Sequence, residues 1–446
     1  MKRWLVAGGL AVAALASVSL AQGFREPKFP AQLAGGKAVE LEYWSWVPNM
    51  DKQAALFTKK YPNVKVKVVN LGGGQAGTYP KLQTALKAGT GAPDLAQVEF
   101  GYIPFFVSTG GLIDLSRYLP ADAKSYFPAW TWNQVSPDGK SVFGVPQDIG
   151  PFAMIYRKDI FDRYQVKVPT TWAEYAAAGE ELYKKSNGKV KIGNFFSTFA
   201  PWFIALVWAS DGQMWTLEGD GYRQTLNNAA SKRVANFWGD LIKKGYVSTL
   251  PAFSQDFWNA MAAGEIATSM EAAWGTGSFA GSLAKNPGQG AQYRVAPLPQ
   301  WEKGKKLVTG NWGGSTAVVT KQSKNPEVAA TFALWLMTSQ DSLVAGWNGA
   351  GLFPAATAGL SLPQLRDPKR DPVKFFGGQN VVAVYSQAAV SVNTNFAWSP
   401  WAPTVDASFA KQMDLAIKGQ ISWDAAIDAW QAETLAKAKA DGFNVK

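Results

Sequence analysis

The 446-residue chain contains no cysteine and no histidine. Without these residue types it cannot form a disulfide, a Ser-His-Asp triad, a thiolate nucleophile or a zinc site of the usual ligands. Any acid–base chemistry would have to depend on carboxylates, lysine or tyrosine. We therefore expect core burial alone to stabilise the fold, and we predict no catalytic residue, no metal and no cofactor.

Long apolar runs are also scarce. One begins after Lys2 and Arg3, covers residues 4–18 and is followed by the small-x-small triplet 19–21. This order is typical of a secretory signal peptide. The alternative is an uncleaved membrane anchor, but the run is shorter than the roughly 20 residues that span a bilayer. We expect cleavage after Ala21 and a soluble, periplasmic protein without a lipid anchor.

The formal net charge is +11, but the bases are not concentrated on one element. Lysines occur in scattered pairs such as Lys59-Lys60 and Lys184-Lys185. A nucleic-acid-binding protein would cluster its bases on one face, whereas scattered pairs are typical of a solvated surface. We expect a monomer with no nucleic-acid partner.

The length suggests two domains, and the chain alternates between strand and helix patterns. Residues 22–37 mix proline, glycine and charge and are predicted to be a tether. Further on, Val64, Val66 and Val68 alternate with lysine directly after a segment of helical period, which indicates a βαβ unit. A second such unit follows up to Glu99. The fold class is therefore predicted to be α/β with an open, mostly parallel first sheet.

Three later helices carry start signals. Thr171 and Glu174 have the spacing of a capping box. Asn325-Pro326 places a capping residue before a proline at the first helical position. Ser422 can cap the final helix.

Seven segments, taken in order, resemble the extracellular solute-binding proteins of ATP-binding-cassette sugar importers, the group that includes maltose-binding protein. The likeness extends over nearly the whole predicted mature chain, and its specificity lies in the ordered set. The segments are VELEYWSW, APDLAQVEFGYIPFFVSTGGLIDLSRYL, VFGVPQDIGPFAMIYRKDIF, VPTTWAEYAAAGEEL, MAAGEIATSMEAAWGTGSF, GNWGGSTAVVTKQSKNPEVAATFALWLMTSQ and GLFPAAT.

The resemblance implies a two-lobe periplasmic-binding-protein fold of type II, with a ligand cleft at the hinge that closes on a carbohydrate. It also implies an integral-membrane permease as partner, to which a di- or oligosaccharide is delivered. Lobe 1 would comprise residues 38–146 and 298–352, and lobe 2 residues 147–297 and 353–446. The lobes would be joined by crossings near 145–146, 298–299 and 352–353.

A sugar site needs flat aromatic faces for the ring C–H bonds and carboxylates or amides for the hydroxyls. The chain has 20 tryptophans, and Trp274 and Trp312 precede glycines that permit close backbone approach. For each candidate, packing in the core is the alternative, and Trp172, Trp335 and Trp430 are assigned to helix cores. The five predicted platforms are Trp46, Trp202, Trp274, Trp312 and Trp398.

Glu99 and Asp148 are the predicted hydroxyl acceptors. Glu99 follows a strand of the first sheet, and open parallel sheets bind ligands beyond the carboxyl ends of their strands. Asp148 lies at a predicted crossing. The alternatives are a charge at a helix N-terminus for Glu99 and a turn residue for Asp148. Ser45, Tyr102 and Gln147 are predicted to assist.

Two other functions stay open on the sequence. A secreted glycoside hydrolase would also use aromatic platforms and two carboxyl groups, here Glu99 and Asp148. A binding protein for an anion such as a glycerophosphodiester would need arginines or a glycine-rich helix start. The triplet 72–74 is the one candidate for that start. Neither the sugar nor its linkage follows from the sequence.

Overall fold

The computed structural model describes residues 24–136, 138–219, 221–285, 292–370, 373–394 and 396–446. The predicted signal peptide and its cleavage point lie outside these residues. No helix of the described part combines the length and apolarity needed to cross a bilayer.

The strands are short and fall into two main sheets and two small ones. They are β1 (Val39–Trp44), β2 (Val64–Val69), β3 (Leu95–Glu99), β4 (Val145–Pro146), β5 (Phe152–Arg157), β6 (Gly193–Asn194), β7 (Trp215–Glu218), β8 (Gly221–Gln224), β9 (Val247–Ser248), β10 (Thr268–Ala272), β11 (Tyr293–Pro297) and β12 (Ser315–Val319).

The α-helices surround the sheets. They are α1 (Met50–Lys60), α2 (Tyr79–Ala88), α3 (Ile103–Ser108), α4 (Ala129–Val135), α5 (Lys158–Tyr164), α6 (Trp172–Lys185), α7 (Ala200–Trp208), α8 (Ala229–Lys243), α9 (Gln255–Ala263), α10 (Gly275–Leu283), α11 (Pro326–Thr338), α12 (Gln340–Ala350), α13 (Val381–Ala389), α14 (Ala402–Ile417) and α15 (Trp423–Ala440). A π-helical turn, Gly74–Thr78, leads into α2.

The first main sheet has five strands in the order β2-β1-β3-β12-β4. Strand β1 is parallel to β2 and β3, so the predicted βαβ pattern is confirmed. Strand β12 arrives from far along the chain and is antiparallel to both β3 and β4. The sheet is therefore mixed, because a late strand and a short crossing strand close its far edge.

The second main sheet is antiparallel, with β5 at the centre between β10 and β11. Each main sheet is the centre of one lobe, and the molecule is a two-lobed α/β protein. We call the lobe of the five-stranded sheet lobe 1 and that of the three-stranded sheet lobe 2.

The segments that connect the lobes lie side by side at a hinge. The Gln147 N–H donates to Ser315 O at 2.8 Å, the Ile149 N–H donates to Phe353 O at 3.0 Å, and the Ala355 N–H donates to Gln147 O at 3.1 Å. At Gly314, which has φ +82°, a Cβ would lie 2.8 Å from Asp148 O. The crossings are thus packed backbone against backbone.

The segment that follows the predicted crossing near 298–299 bonds to residues of lobe 2. The Gln300 N–H donates to Thr170 O, and the Thr309 N–H donates to Ser391 O. The chain then enters β12 of the first main sheet at Ser315. The lobe boundaries stay predictions.

The helix start signals are confirmed in two cases of three. The Thr171 Oγ1 accepts from the Glu174 N–H at 3.1 Å, and the Ser422 Oγ accepts from the Ala425 N–H at 3.1 Å. Asn325 precedes α11 as predicted, but its side chain makes no capping hydrogen bond.

The core is rich in aromatic residues in both lobes. Trp172, Trp335 and Trp430 are 4%, 4% and 0% exposed, so their predicted place in the core is confirmed. Helix α7, which is buried except at Pro201, contributes Trp202 and Trp208 to the same large cluster. Burial on this scale is what a chain without disulfides requires.

Candidate functional site

A narrow cavity of about 30 Å³ lies between the lobes, beyond the carboxyl end of β3. This volume holds one or two water molecules, which is far less than the roughly 300–1,000 Å³ of an open small-molecule site. Lobe 1 and the adjoining crossing line it with Glu99, Gly101, Tyr102 and Gly313. Lobe 2 lines it with Pro201, Ile204, Trp215, Trp398, Ser399, Ala402, Val405 and Asp406. The cavity therefore has one wall from strand ends and another from helices and a loop.

The lobe 1 wall is organised by tyrosines around Glu99. The Tyr79 hydroxyl donates to Glu99 Oε2 at 3.1 Å and accepts from the Glu99 N–H at 2.8 Å. Tyr79 also packs on Tyr102, with ring centroids 4.5 Å apart. These contacts fix the carboxyl of Glu99 at the mouth of the sheet.

The lobe 2 wall is apolar, and Trp398 is its main surface. This indole is half-buried, and its ring is tilted by 32° to that of Trp215 with centroids 6.1 Å apart. A Cβ added at Gly101 would lie 3.4 Å from the Trp398 ring, so a glycine here lets lobe 1 approach the indole closely. The wall offers the flat apolar surface that a sugar ring requires.

Asp406 joins the two walls. It lies in the first turns of α14 in lobe 2, and its Oδ2 accepts from the Tyr102 hydroxyl at 2.8 Å and from the side-chain amide of Gln75. Both donors belong to lobe 1. These two hydrogen bonds hold the lobes together beside the cavity.

The acids of the cleft have raised pKa values. Burial raises the pKa of Asp406 to about 7, and the nearby charge of Glu99 adds to this effect. Burial raises the pKa of Glu99 and also raises the pKa of Asp148 to about 7. Desolvation disfavours the charged carboxylate. A ligand that donates hydrogen bonds to these carboxylates would stabilise their charged form.

Three of the predicted ligand-binding residues line this cavity: Glu99, Tyr102 and Trp398. Their contact with a ligand stays a prediction. Glu99 and Tyr102 come from β3 and the turn after it. This is the carboxyl end of a strand, where open parallel sheets bind their ligands. Trp398 comes from the other half of the chain, and the structure brings it to within van der Waals reach of Gly101.

Ser45 and Trp46 lie behind the cavity wall. Ser45 is fully buried and donates to Gln97 Oε1 at 2.8 Å, which occupies its hydroxyl hydrogen within the sheet. Trp46 is half-buried and packs edge-on against Tyr79, with centroids 5.9 Å apart. Both support the residues that line the cavity, and neither lines it.

Asp148 is buried at the hinge, outside the cavity lining. Its Oδ1 accepts from the Ser315 N–H at 2.9 Å, so the carboxyl joins two crossing segments. Gln147 is 4% exposed, and no described residue bonds its side-chain amide. In this structure both residues therefore belong to the hinge. For Asp148 this agrees with the alternative prediction, a turn residue.

The structure places Trp202 and Trp312 differently from the predicted platforms. Trp202 is 0% exposed, and its Nε1 donates to Met270 O at 3.0 Å. Trp312 is 2% exposed and is stacked between Phe152 and Phe253, with centroids 5.8 and 5.6 Å away. Neighbouring rings cover both indoles, which leaves no face open to a ligand.

Trp274 is half-buried, and its Nε1 donates to Trp312 O at 2.9 Å. A Cβ at Gly313 would lie 3.3 Å from that nitrogen and 3.6 Å from Glu99 Oε1. Trp274 therefore borders the cavity lining through Gly313, and its platform role stays a prediction.

Asp406 and Trp215 are the main lining residues that the sequence reasoning missed. Asp406 shares a helix face with Ala402, Val405 and Phe409, which are all buried. A carboxylate on the apolar face of an amphipathic helix is a sequence signal for a buried acid. Trp215 begins a short strand, and no pattern in the sequence distinguished it from a core residue.

Within the part of the chain that the structure describes, no cluster of acidic residues has the grouping needed to hold a metal ion. A two-lobed α/β fold with a cavity at the hinge is the architecture of a binding protein that closes around a small solute. The match of residues 18–341 to the family model "Bacterial extracellular solute-binding protein" covers more than half of the chain. The chain belongs to this family.

The chain is similar over most of its length to proteins whose names give the sugar that they bind. An arabinooligosaccharide-binding protein of Halalkalibacterium halodurans is 26% identical over 379 residues, which is 80% of each chain. The galacto-N-biose-/lacto-N-biose I-binding protein of Bifidobacterium longum, solved with lacto-N-biose, is 26% identical. It superposes with a TM-score of 0.80 over 92% of this chain and 99% of its own. An ABC-transporter-associated binding protein of B. animalis subsp. lactis, solved with β-1,6-galactobiose, has a TM-score of 0.79 and 26% identity over 92% of this chain and 100% of its own.

Proposed function

We propose that this protein is the substrate-binding component of an ATP-binding-cassette importer and captures a di- or oligosaccharide in the cavity between its lobes. The sugar-binding relatives and structures support this ligand class. The observation that carries the proposal is the cavity itself, where the half-buried Trp398 faces a space bordered by the carboxyls of Glu99 and Asp406. Indole face and carboxyls match the C–H and hydroxyl surfaces of a sugar.

The binding cycle follows from the two walls. In the open form, the lobe 1 acid and the lobe 2 indole are both exposed as half-sites. A sugar that bridges them adds contacts available only after closure, and this extra affinity shifts the equilibrium toward the closed form. The permease then receives the sugar from the closed complex. Micromolar binding corresponds to about −8 kcal/mol, and one face stacked on Trp398 contributes about 1.5 kcal/mol of it, so further faces and several hydrogen bonds must supply the rest.

We further propose that the protein binds its ligand without chemical turnover and acts as a monomer outside the cytoplasm, without nucleic acid. Membership of an extracellular binding family supports this proposal. The predicted hydrolase pair, Glu99 and Asp148, does not share the cavity lining, because Asp148 is held at the hinge by Ser315. The structure gives no specific support to a hydrolase.

The test is a binding screen with arabino-oligosaccharides, β-1,6-galactobiose, lacto-N-biose and maltose, read by thermal shift and calorimetry. A ligand at 100 times its dissociation constant stabilises the protein by about 2.7 kcal/mol. We expect at least one sugar to do so without being cleaved. Trp398→Ala should weaken the binding of that sugar. Trp301→Ala is the matched control and should not, since Trp301 is also half-buried but lies under Arg233, away from the cavity. A screen in which no sugar binds would contradict the proposal.

A further inference from the structure

The charge of the cavity differs from that of the whole chain. The chain carries a formal net charge of +11, yet the cavity lining contains two carboxyl groups, Glu99 and Asp406, and neither lysine nor arginine. The pKa values of both acids are raised by burial, and the charge of Glu99 contributes to the shift at Asp406. The two carboxyls therefore interact with each other across the cavity, and no lining cation offsets them.

Each of these carboxyls is held by one oxygen. Tyr79 donates to Oε2 of Glu99, and Tyr102 and Gln75 donate to Oδ2 of Asp406. Among the described residues, no hydrogen bond goes to Glu99 Oε1 or to Asp406 Oδ1. Each carboxyl is thus fixed in place by the protein and keeps one oxygen for another donor.

Two further polar groups of the lining lack partners. Ser399 is 1% exposed, and its Oγ has no hydrogen-bond partner among the described residues. The Nε1 of Trp398 has none either. Both atoms are buried within the wall, so they do not identify a ligand by themselves.

On the basis of the function proposed above, we infer that Glu99 and Asp406 select the ligand by charge. They accept hydrogen bonds from the hydroxyl or ammonium groups of neutral and amino sugars. They exclude sugars that carry a carboxylate, sulfate or phosphate. An anionic sugar would add a third negative charge to a poorly hydrated space that has no cation, where like-charge repulsion is weakly screened. The same lining argues against a glycerophosphodiester, which would need arginine or lysine.

The test uses probes that differ only in charge. β-1,6-Galactobiose and arabinobiose are each converted at the reducing end to the neutral alditol, the anionic aldonate and the cationic 1-amino-1-deoxyalditol. Calorimetry at pH 8 measures all six with the wild-type protein. We expect the alditol and the amino-alditol of a skeleton to bind, and its aldonate to bind at least about tenfold more weakly.

Two near-isosteric variants test whether Glu99 and Asp406 cause the weaker binding of the aldonate. In Glu99→Gln and in Asp406→Asn, the gap between alditol and aldonate should narrow by several-fold, because one like charge is removed. Glu42→Gln is the matched control, since Glu42 pairs with Lys67 on the surface at 2.8 Å and lies outside the cavity. The control should keep the wild-type gap. Thermal denaturation verifies that each variant is folded.

The outcomes separate the two proposals. Equal binding of aldonate and alditol by the wild type overturns the charge selection alone, as does a gap that neither cavity variant changes. Failure of every neutral probe, including the unmodified disaccharides, would count against the proposed function and this inference together. Binding of the aldonates alone would overturn both.

Discussion

Two aromatic regions of lobe 2 contain the same residue types but differ in the exposure of their rings and in the partners of their acids. In the core beside β10, Trp202 is covered on all sides and bonds Met270, and Glu271 is fully buried two residues from its partner Ser269. At the cavity, Trp398 is half-buried with its Nε1 unpartnered, and Asp406 is bonded to the opposite lobe. Composition alone does not separate a structural indole from a ligand-binding one. The exposure of the ring face is what distinguishes Trp398 from Trp202.

The largest effect is expected at the core indole. Trp202→Ala removes a fully buried side chain that contacts Trp238 at a centroid distance of 5.2 Å. Cavity formation should lower the free energy of unfolding by about 3–5 kcal/mol. Chemical denaturation measures this change. The ligand affinity of the folded fraction should stay within about twofold of the wild-type value, and a large affinity loss with normal stability would reverse the assignment of the two regions.

The next effect concerns the core acid. Burial raises the pKa of Glu271 from its usual 4.5 to about 8. Between these two values the folded state binds more protons than the unfolded state, so the stability contributed by the protonated carboxyl is lost as the pH rises toward 8. The slope is at most about 1.4 kcal/mol per pH unit.

Glu271→Gln should therefore flatten the decline of stability between pH 5 and about 8 and leave the variant the more stable protein above that range. Denaturation midpoints across this pH range measure it. Glu302→Gln, an exposed acid paired with Lys305, serves as the control and should keep the wild-type slope. Asp148 and Asp406, with pKa values raised to about 7, titrate in the same range and keep a residual slope in the variant. A variant slope equal to that of the wild type would mean that Glu271 does not contribute to the pH dependence.

At the cavity, Trp398→Ala should weaken sugar binding by about tenfold, since one stacked face of roughly 60 Å² contributes about 1.5 kcal/mol. Its effect on stability should be smaller than that of Trp202→Ala, because the indole is half-buried. Calorimetry with the best sugar of the screen measures the affinity. Unchanged affinity would remove Trp398 from the site.

The smallest effect is expected for the contact between the lobes. Tyr102→Phe removes the hydroxyl that donates to Asp406 Oδ2 at 2.8 Å. Loss of one hydrogen bond formed in the closed arrangement should raise the dissociation constant by about fivefold, or 1 kcal/mol. Tyr61→Phe is a matched control, because that hydroxyl donates to Pro30 O at 2.7 Å in another part of lobe 1. Equal affinities for the two variants would show that the Tyr102 bond does not contribute to closure.

The local patterns of the sequence were enough to predict much of lobe 1. The alternation of Val64, Val66 and Val68 determines which face of β2 is buried, and the strand end then places Glu99 at the cleft. The caps at Thr171 and Ser422 were predictable because a cap depends on neighbouring residues only. These features depend on interactions over a few residues.

The cavity wall of lobe 2 was harder to predict, because its residues meet only after long-range packing. The proline before Trp202 led to its prediction as a platform. The surrounding residues 200–208 are almost all apolar, however, and such a run is typical of a buried helix. Asp406 meets Tyr102 across 304 positions of sequence. No local pattern reports such a pairing.

The hinge has a consequence for the importer. Because the three crossings share backbone hydrogen bonds and Gly314 has no room for a side chain against Asp148, torsion in one strand of the hinge must be matched by the others. We therefore expect the lobes to rotate relative to each other about a single axis. Sugars of different length should then produce closed complexes of one outer shape, so that a single docking surface on the permease can accept them all.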